Sequence, residues 1–247
     1  VNEFGSQFDN YLYFNLEMSE SVRLFEMDIP LNDLVNMLFA SLGKSQKKGS
    51  TLIFIDEIQN SPKTIALLRY FYEQRPDLYV IAAGSLLENL VDVNVSFPVG
   101  RVMYLALRPC SFYEFLGAIG KNNLLTILSQ KAEYSIAFHE QLMHQFNQYT
   151  IIGGMPEAVQ HYAETQDIIA IEDVYETLVQ AYKDDSEKYA RSNKLTDVVR
   201  FILSYGWAFS GETITLGNFA NSGYKSREVG EAFRLLEKAM ILELVYP

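Results

Sequence analysis

The sequence is short of several things, and each shortage closes off a class of protein. A single cysteine, Cys110, excludes an internal disulfide framework and fits a reducing cytoplasm. It lies in a Pro-Cys-Ser turn with no nearby histidine, which reads as structural rather than nucleophilic. Only three histidines occur: His139, His144 and His161. The first two stand five apart on a helical stretch, so they miss the spacing that puts two side chains on one face. With one distant cysteine they make no zinc set. No run of about 18 apolar residues exists, which argues against a membrane-spanning helix. Residues 1–20 carry acids and no continuous apolar core, unlike a signal peptide. Cations are scarce as well: 20 Lys and Arg against 31 Asp and Glu, a net charge of −11. That balance argues against a generic nucleic-acid coat.

What is present is an ordinary globular composition, 49% hydrophobic and 21% charged over 247 residues. It suffices for one large domain or two smaller ones. The first residue is Val1 rather than methionine, so the chain reads as a piece of something longer. Its charge is uneven. From Lys194 onward six cations meet six acids, so the whole −11 resides upstream, and the tail reads as a separate domain.

Three patterns follow one another along the chain. Residues 11–17, YLYFNLE, read as a strand. Ser19 is placed to cap a following helix, and LNDLVNMLFASL forms a second helix that stops at Gly43. TLIFI reads as a fully buried strand. Ser61-Pro62 opens a helix to about Gln74, with serine at the cap and proline at the first helical position. LYVIAAGS and RVMYLALRP read as two more strands. Near-continuous apolar strands alternating with helices indicate a parallel sheet covered on both faces. From Ser111 to about Arg191 the spacing is helical throughout, broken at IIGGMPEAV. There Gly153 and Gly154 can take positive φ and Pro156 can start the next helix. The acidic run Asp184-Asp185-Ser186-Glu187 reads as a solvated face beside Lys183 and Lys188. Finally, three short helices (LTDVVRFILSYGWAF, LGNFANSG, SREVGEAFRLLEKAM) and a strand, ILELVYP, outline a winged helix-turn-helix.

The stretch with most chemistry is TLIFIDEIQN, residues 51–60. A parallel sheet places ligands at the carboxyl ends of its strands. Asp56 and Glu57 fall at such an end. Phosphoryl transfer needs one carboxylate on a divalent metal and one on the attacking water, and adjacent residues leaving a strand can supply both. The plainer reading is a strand running into a solvated acidic turn. Ser85, ending the next apolar strand, is either a hydroxyl facing the same region or a turn residue after Gly84.

TLIFIDEIQ, then YVIAAGS, then FPVGRVMYLALRPCSFYEFL, then GGMPEAV resemble, in that order, a family of prokaryotic AAA-type P-loop ATPases. Members carry a C-terminal domain of unknown function, helical and then winged-helix. The resemblance covers nearly the whole chain. It implies an α/β fold with a partial P-loop NTPase parallel sheet and helices on both faces, followed by an all-helical region and a winged helix-turn-helix. The implied boundaries are 1–110 for a partial ATPase domain, 111–193 for the helical region and 194–247 for the winged helix. It implies ATP and Mg²⁺ as ligands of the intact protein. Asp56 is implied as the metal carboxylate, Glu57 as the base of a Walker B pair, and Ser85 as a sensor. Arg101 is implied as a phosphate contact within one subunit or across a homo-oligomer, the alternative being a surface arginine paired with an acid.

The phosphate cradle of such ATPases, G-x-x-x-x-G-K-[ST], must follow a strand and open a helix. The nearest match, Gly43-Lys44-Ser45, follows a helix and precedes a strand, and Leu38 stands where the first glycine belongs. It is rejected as a P-loop. The resemblance places the true one upstream of YLYFNLE, so this chain alone is expected to bind ATP poorly or not at all. A second class of function remains open, a DNA- or protein-binding regulator whose nucleotide fold is a scaffold. Its contact surface would be Ser226–Lys238, which offers Lys225, Arg227, Arg234 and Lys238 but also Glu228, Glu231 and Glu237.

Overall fold

Three short apolar runs become three parallel strands, β1 (Asn10–Asn15), β2 (Thr51–Asp56) and β3 (Leu78–Ala82), in the order β1-β2-β3. Register pairs Tyr13 with Phe54 and Asn15 with Asp56 on one side of β2, and Phe54 with Ile81 on the other. The computed structural model describes residues 1–84, 100–130, 136–189 and 192–246, of which 185–189 by backbone alone. The chain divides into two compact units, Val1–Leu105 and Ala106–Pro247.

In the first unit the alternation of side chains along each strand sorts the sheet into two faces. Leu12, Phe14, Ile53, Ile55, Val80 and Ala82 turn to one face. There α2 (Ser19–Phe25), α3 (Leu31–Ser41) and α4 (Pro62–Gln74) bury Phe25, Leu34, Leu38, Ile65 and Phe71 against them. The other face carries Tyr11, Tyr13, Leu52, Phe54, Tyr79 and Ile81. Among the described residues its helical cover is the single turn α1 (Asn2–Gly5), which sits at the Tyr11–Tyr79 end. Gly5 lies on the Tyr11 ring, where a Cβ would stand 2.7 Å from it, and Phe8 meets Tyr79 edge-on at 5.3 Å. Helices on both faces, as the sequence suggests, are present here very unequally.

Local chemistry explains the helix ends. Ser61 caps α4 by accepting from the Thr64 N–H, with Pro62 at the first helical position. The Ser61 hydroxyl donates to Glu26, and Lys63 donates to the Glu26 and Met27 carbonyls, tying α4 to the end of α2. The α2 N-terminus differs from expectation: Met18 occupies the cap position and Ser19 is already helical, with no side-chain cap. Residues 101–109, expected as a strand, are not one. A strand exists through its ladder, and none of the three strands offers these residues a register. Met103, Leu105 and Leu107 stand 95%, 89% and 88% exposed.

The second unit is helical among the described residues: α5 (Phe112–Ala118), α6 (Asn122–Ser129), α7 (His139–Ile152), α8 (Pro156–Thr165), α9 (Glu172–Tyr189), α10 (Asn193–Tyr205) and α11 (Ser226–Lys238). Ser111 and Glu114 close a reciprocal capping box at the start of α5. Gly153 ends α7 at φ 72°. One core joins Leu195, Val199, Ile202 and Leu203 of α10 to Val229, Phe233 and Leu236 of α11. Two expectations in this region are corrected. LGNFANSG is only a 3₁₀ turn at Phe219–Asn221, because Asn218, Ala220 and Asn221 adopt positive φ, and asparagine tolerates that region. Residues 241–246 form no strand: no second strand of this unit is available to pair with them among the described residues. They are held instead by Ile241 N–H donating to the Leu236 carbonyl and Leu244 N–H donating to Glu237.

Candidate functional site

β2 is buried along its length except at Asp56, where it emerges between its two neighbours. Strand alternation puts Asp56 on the same face as Tyr13. The Tyr13 hydroxyl donates to Asp56 Oδ2 at 3.1 Å. The Glu57 N–H donates to Asp56 Oδ1 at 3.1 Å. Glu57 itself turns into the left-handed region, φ 53°, ψ 43°. A non-glycine residue there carries a conformational cost of roughly 1–2 kcal/mol, and such costs concentrate at functional positions. The left-handed turn breaks the strand and starts a 3₁₀ turn, Ile58–Asn60. Within it the Gln59 amide donates to Glu57 Oε2 at 2.5 Å. Buried Ile58 anchors the turn, its N–H donating to the Ala83 carbonyl, while the Ala83 N–H donates to Ile55. Both acids are half-buried, and among the described residues neither has an ion pair. The phenols beside them register that negative charge. Burial first, then the hydrogen bond to Asp56, holds the Tyr13 phenol above its ordinary value, and burial with the Asp56 charge does the same to Tyr11.

Asp56 offers hard oxygen donors with no cation among the described residues competing for them, which suits Mg²⁺, a metal that keeps most of its waters and takes one or two carboxylates. No group of three or more His, Cys, Asp or Glu forms a protein-only metal cage among the described residues. The triphosphate side is different. Gly43 and Lys44 end α3 in a Schellman closure, with Gly43 N–H donating to Ala40 and Lys44 N–H to Phe39. The Lys44 ammonium is tied to the Tyr11 carbonyl at 2.7 Å. These residues do not fit a phosphate cradle, and no other segment of the sequence carries the motif.

The other candidates lie elsewhere. Ser85 is outside the described residues. Arg101 donates to Glu73 Oε1 at 2.7 Å, an oxygen that Arg69 also reaches at 2.9 Å. Arg101 first, and then Arg69, hold the Glu73 carboxyl below its ordinary value. Because β2 and β3 are parallel, α4 must run back from the Asp56 end of the sheet to the start of β3. Glu73 lies eleven residues along it, about 17 Å of helix axis from Pro62. Within one chain Arg101 is therefore not brought to the acid pair. GGMPEAV and Cys110 meet each other rather than a ligand: the Cys110 N–H donates to the Gly154 carbonyl, and the Tyr149 hydroxyl donates to the Cys110 carbonyl. Tyr175 closes the same corner by donating to the Ile152 carbonyl.

On α11 the charges are sorted. Glu228 is taken by Lys194 at 2.5 Å and by the Lys225 N–H, and Glu237 by the Leu244 N–H. The solvent-facing stripe is Arg227, Glu231, Arg234 and Lys238. The sequence alone missed Tyr13 and Gln59. Tyr13 meets Asp56 only through the register of β1 on β2, and Gln59 reaches back only because Glu57 is left-handed.

Two family models match parts of the chain. Residues 1–116 match the family model of an AAA domain, an ATPase-related fold. Residues 143–247 match that of a domain of unknown function, DUF8612. No curated protein and no solved structure matches the chain.

Proposed function

We propose that Asp56 and Glu57 are the metal and water carboxylates of an AAA-type ATPase whose hydrolysis drives its helical C-terminal part. The observation that carries this reading is the exit of both acids from the carboxyl end of the central parallel strand, with no cation among the described residues neutralising either. Mg²⁺, when bound, would neutralise charge developing on the transferred phosphoryl group. Asp56 would hold the ion through its waters. Glu57 would accept a hydrogen bond from the attacking water and polarise it. Ser85, which follows β3, would sense the γ-phosphate or that water. Arg101, distant from the pair in its own chain, would act on phosphate only from a neighbouring subunit of a homo-oligomer.

The 247 residues by themselves lack a phosphate cradle, so calorimetry on this chain is expected to give weak ATP binding or none. The decisive experiment measures ATP turnover by the protein expressed from its full open reading frame, beside its Glu57→Gln variant. Turnover well above that variant supports the reading. Equal, background turnover in both would sink it.

A second reading has its own observation. The exposed face of α11 carries Arg227 and Arg234 against Glu231, because Glu228 and Glu237 are engaged internally. With α10, the 219–221 turn and α11 in helix-turn-helix order, this stripe would face an anionic partner, either DNA or an acidic protein. A gel shift at low and moderate salt separates the two. A shift that sharpens with sequence favours DNA, and no shift favours protein.

A further inference from the structure

Resting on the ATPase reading of the acid pair, we propose that Tyr13 and Gln59 are its positioning residues. They are neutral donors that orient one carboxylate each while leaving its full charge for the cation and the water. The contrast within the same unit motivates this. Acids elsewhere in the first unit are fixed in two ways: Asp9 by the Ser50 N–H and hydroxyl and Glu26 by the Ser61 hydroxyl, and, where an arginine does it, Glu73 by Arg69 and Arg101 and Asp77 by two Arg75 nitrogens at 2.7 and 2.8 Å. The arginine contacts cancel the charge they orient. At Asp56 and Glu57 the donors are a phenol and a primary amide. A guanidinium in either place would give a stronger bond, but it would leave a neutral pair with little to offer a divalent ion.

Each donor is itself held before any ligand arrives. The Tyr13 ring lies 5.5 Å from that of Phe54, its register partner, and its hydroxyl reaches forward to the next residue on that face, Asp56. Gln59 is fixed by the 3₁₀ turn whose first residue, Ile58, is pinned to the Ala83 carbonyl. The left-handed backbone of Glu57 lets the residue two places on return to its carboxylate. The two adjacent acids are therefore served from different elements, Asp56 from β1 and Glu57 from the turn ahead of α4. That arrangement holds two like charges in fixed, separate directions.

Two measurements test this, one of them independent of turnover. In the metal-free, nucleotide-free 247-residue chain, the Gln59 side-chain amide is followed by nitrogen-15 NMR. In Glu57→Ala it is expected to shift and to lose protection from exchange with water; an unchanged resonance overturns the Gln59 contact. In the protein from the full open reading frame, Tyr13→Phe is expected to raise the Mg²⁺ concentration for half-maximal turnover about tenfold, with kcat retained at saturating Mg²⁺. Gln59→Met is expected to lower kcat about tenfold with the KM for ATP unchanged, the size of losing one hydrogen bond to a charged group. A purely structural role would lower the melting temperature of both variants without that split. Wild-type values in both variants overturn the positioning role alone. Wild-type turnover no higher than Glu57→Gln removes the ATPase reading, and the role with it.

Discussion

Cys110 and Gly154 meet backbone to backbone. The Cys110 N–H donates to the Gly154 carbonyl at 2.7 Å, and a Cβ on Gly154 would stand 2.3 Å from the Cys110 oxygen. The Tyr149 hydroxyl fixes that oxygen from the other side at 2.7 Å. The second glycine of IIGGMPEAV is thus required by close approach, while Cys110 packs half-buried against the core of Phe115, Ile152 and Tyr162.

Gly154→Ala should therefore destabilise the second unit by about 3 kcal/mol, the upper range for forcing atoms into a packed site. The relief would have to come from backbone, which cannot yield without breaking the Cys110 and Tyr149 bonds. Gly120→Ala is the control. Gly120 has φ 72° but open space around it, so only the left-handed penalty of about 1 kcal/mol should appear. Denaturant unfolding of both variants checks the order. Equal losses would refute the close-approach account.

Met240→Gly should stabilise the protein. Met240 occupies the left-handed position after α11 at φ 56°, with its own N–H donating to Glu237 and the Ile241 N–H to Leu236. That is the Schellman geometry that Gly43 and Gly120 serve elsewhere in this chain. The Met240 side chain is 53% exposed, so little packing is lost. Relief of the left-handed cost, less the extra entropy of an unfolded glycine, leaves a gain of up to about 1 kcal/mol. A lowered urea midpoint would contradict it.

Much of the first unit was legible because its signals are local. Ser61-Pro62 marks the start of α4, Gly43 marks the end of α3, and the apolar run TLIFI marks a buried strand regardless of its neighbours. The acids at its end were legible for the same reason. What was not legible depends on partners. RVMYLALRP has the composition of a strand, but a strand needs a ladder, and sequence does not say whether one is there. ILELVYP failed in the same way. Tyr13 and Gln59 became visible only once register and a left-handed residue had brought them to Asp56 and Glu57. The mixed charge of α11 resolved into an exposed cationic stripe only when Glu228 and Glu237 were seen to be engaged.

The capping box at Ser111 should leave a mark on pH dependence. The Ser111 N–H first, and its hydroxyl second, hold the Glu114 carboxyl below its ordinary value of 4.5. A folded-state value below the unfolded one means the contribution is present above about pH 4.5 and is lost as pH falls through the folded value. The melting temperature of Glu114→Gln should accordingly lie below wild type at pH 7, with the gap narrowing as pH drops below 4.5. A gap constant across that window would show that the carboxylate charge does not contribute to the cap.

Met103, Leu105 and Leu107 stand two residues apart and are almost fully exposed. Replacing all three with lysine should change folding stability by no more than about 0.5 kcal/mol per site, the usual range for surface positions. The variant should also self-associate less at equal concentration, because a row of exposed apolar side chains invites association with other chains. Denaturant unfolding and analytical ultracentrifugation read the two effects separately. A loss of several kcal/mol would mean instead that these side chains are buried, as the strand reading of residues 101–109 required.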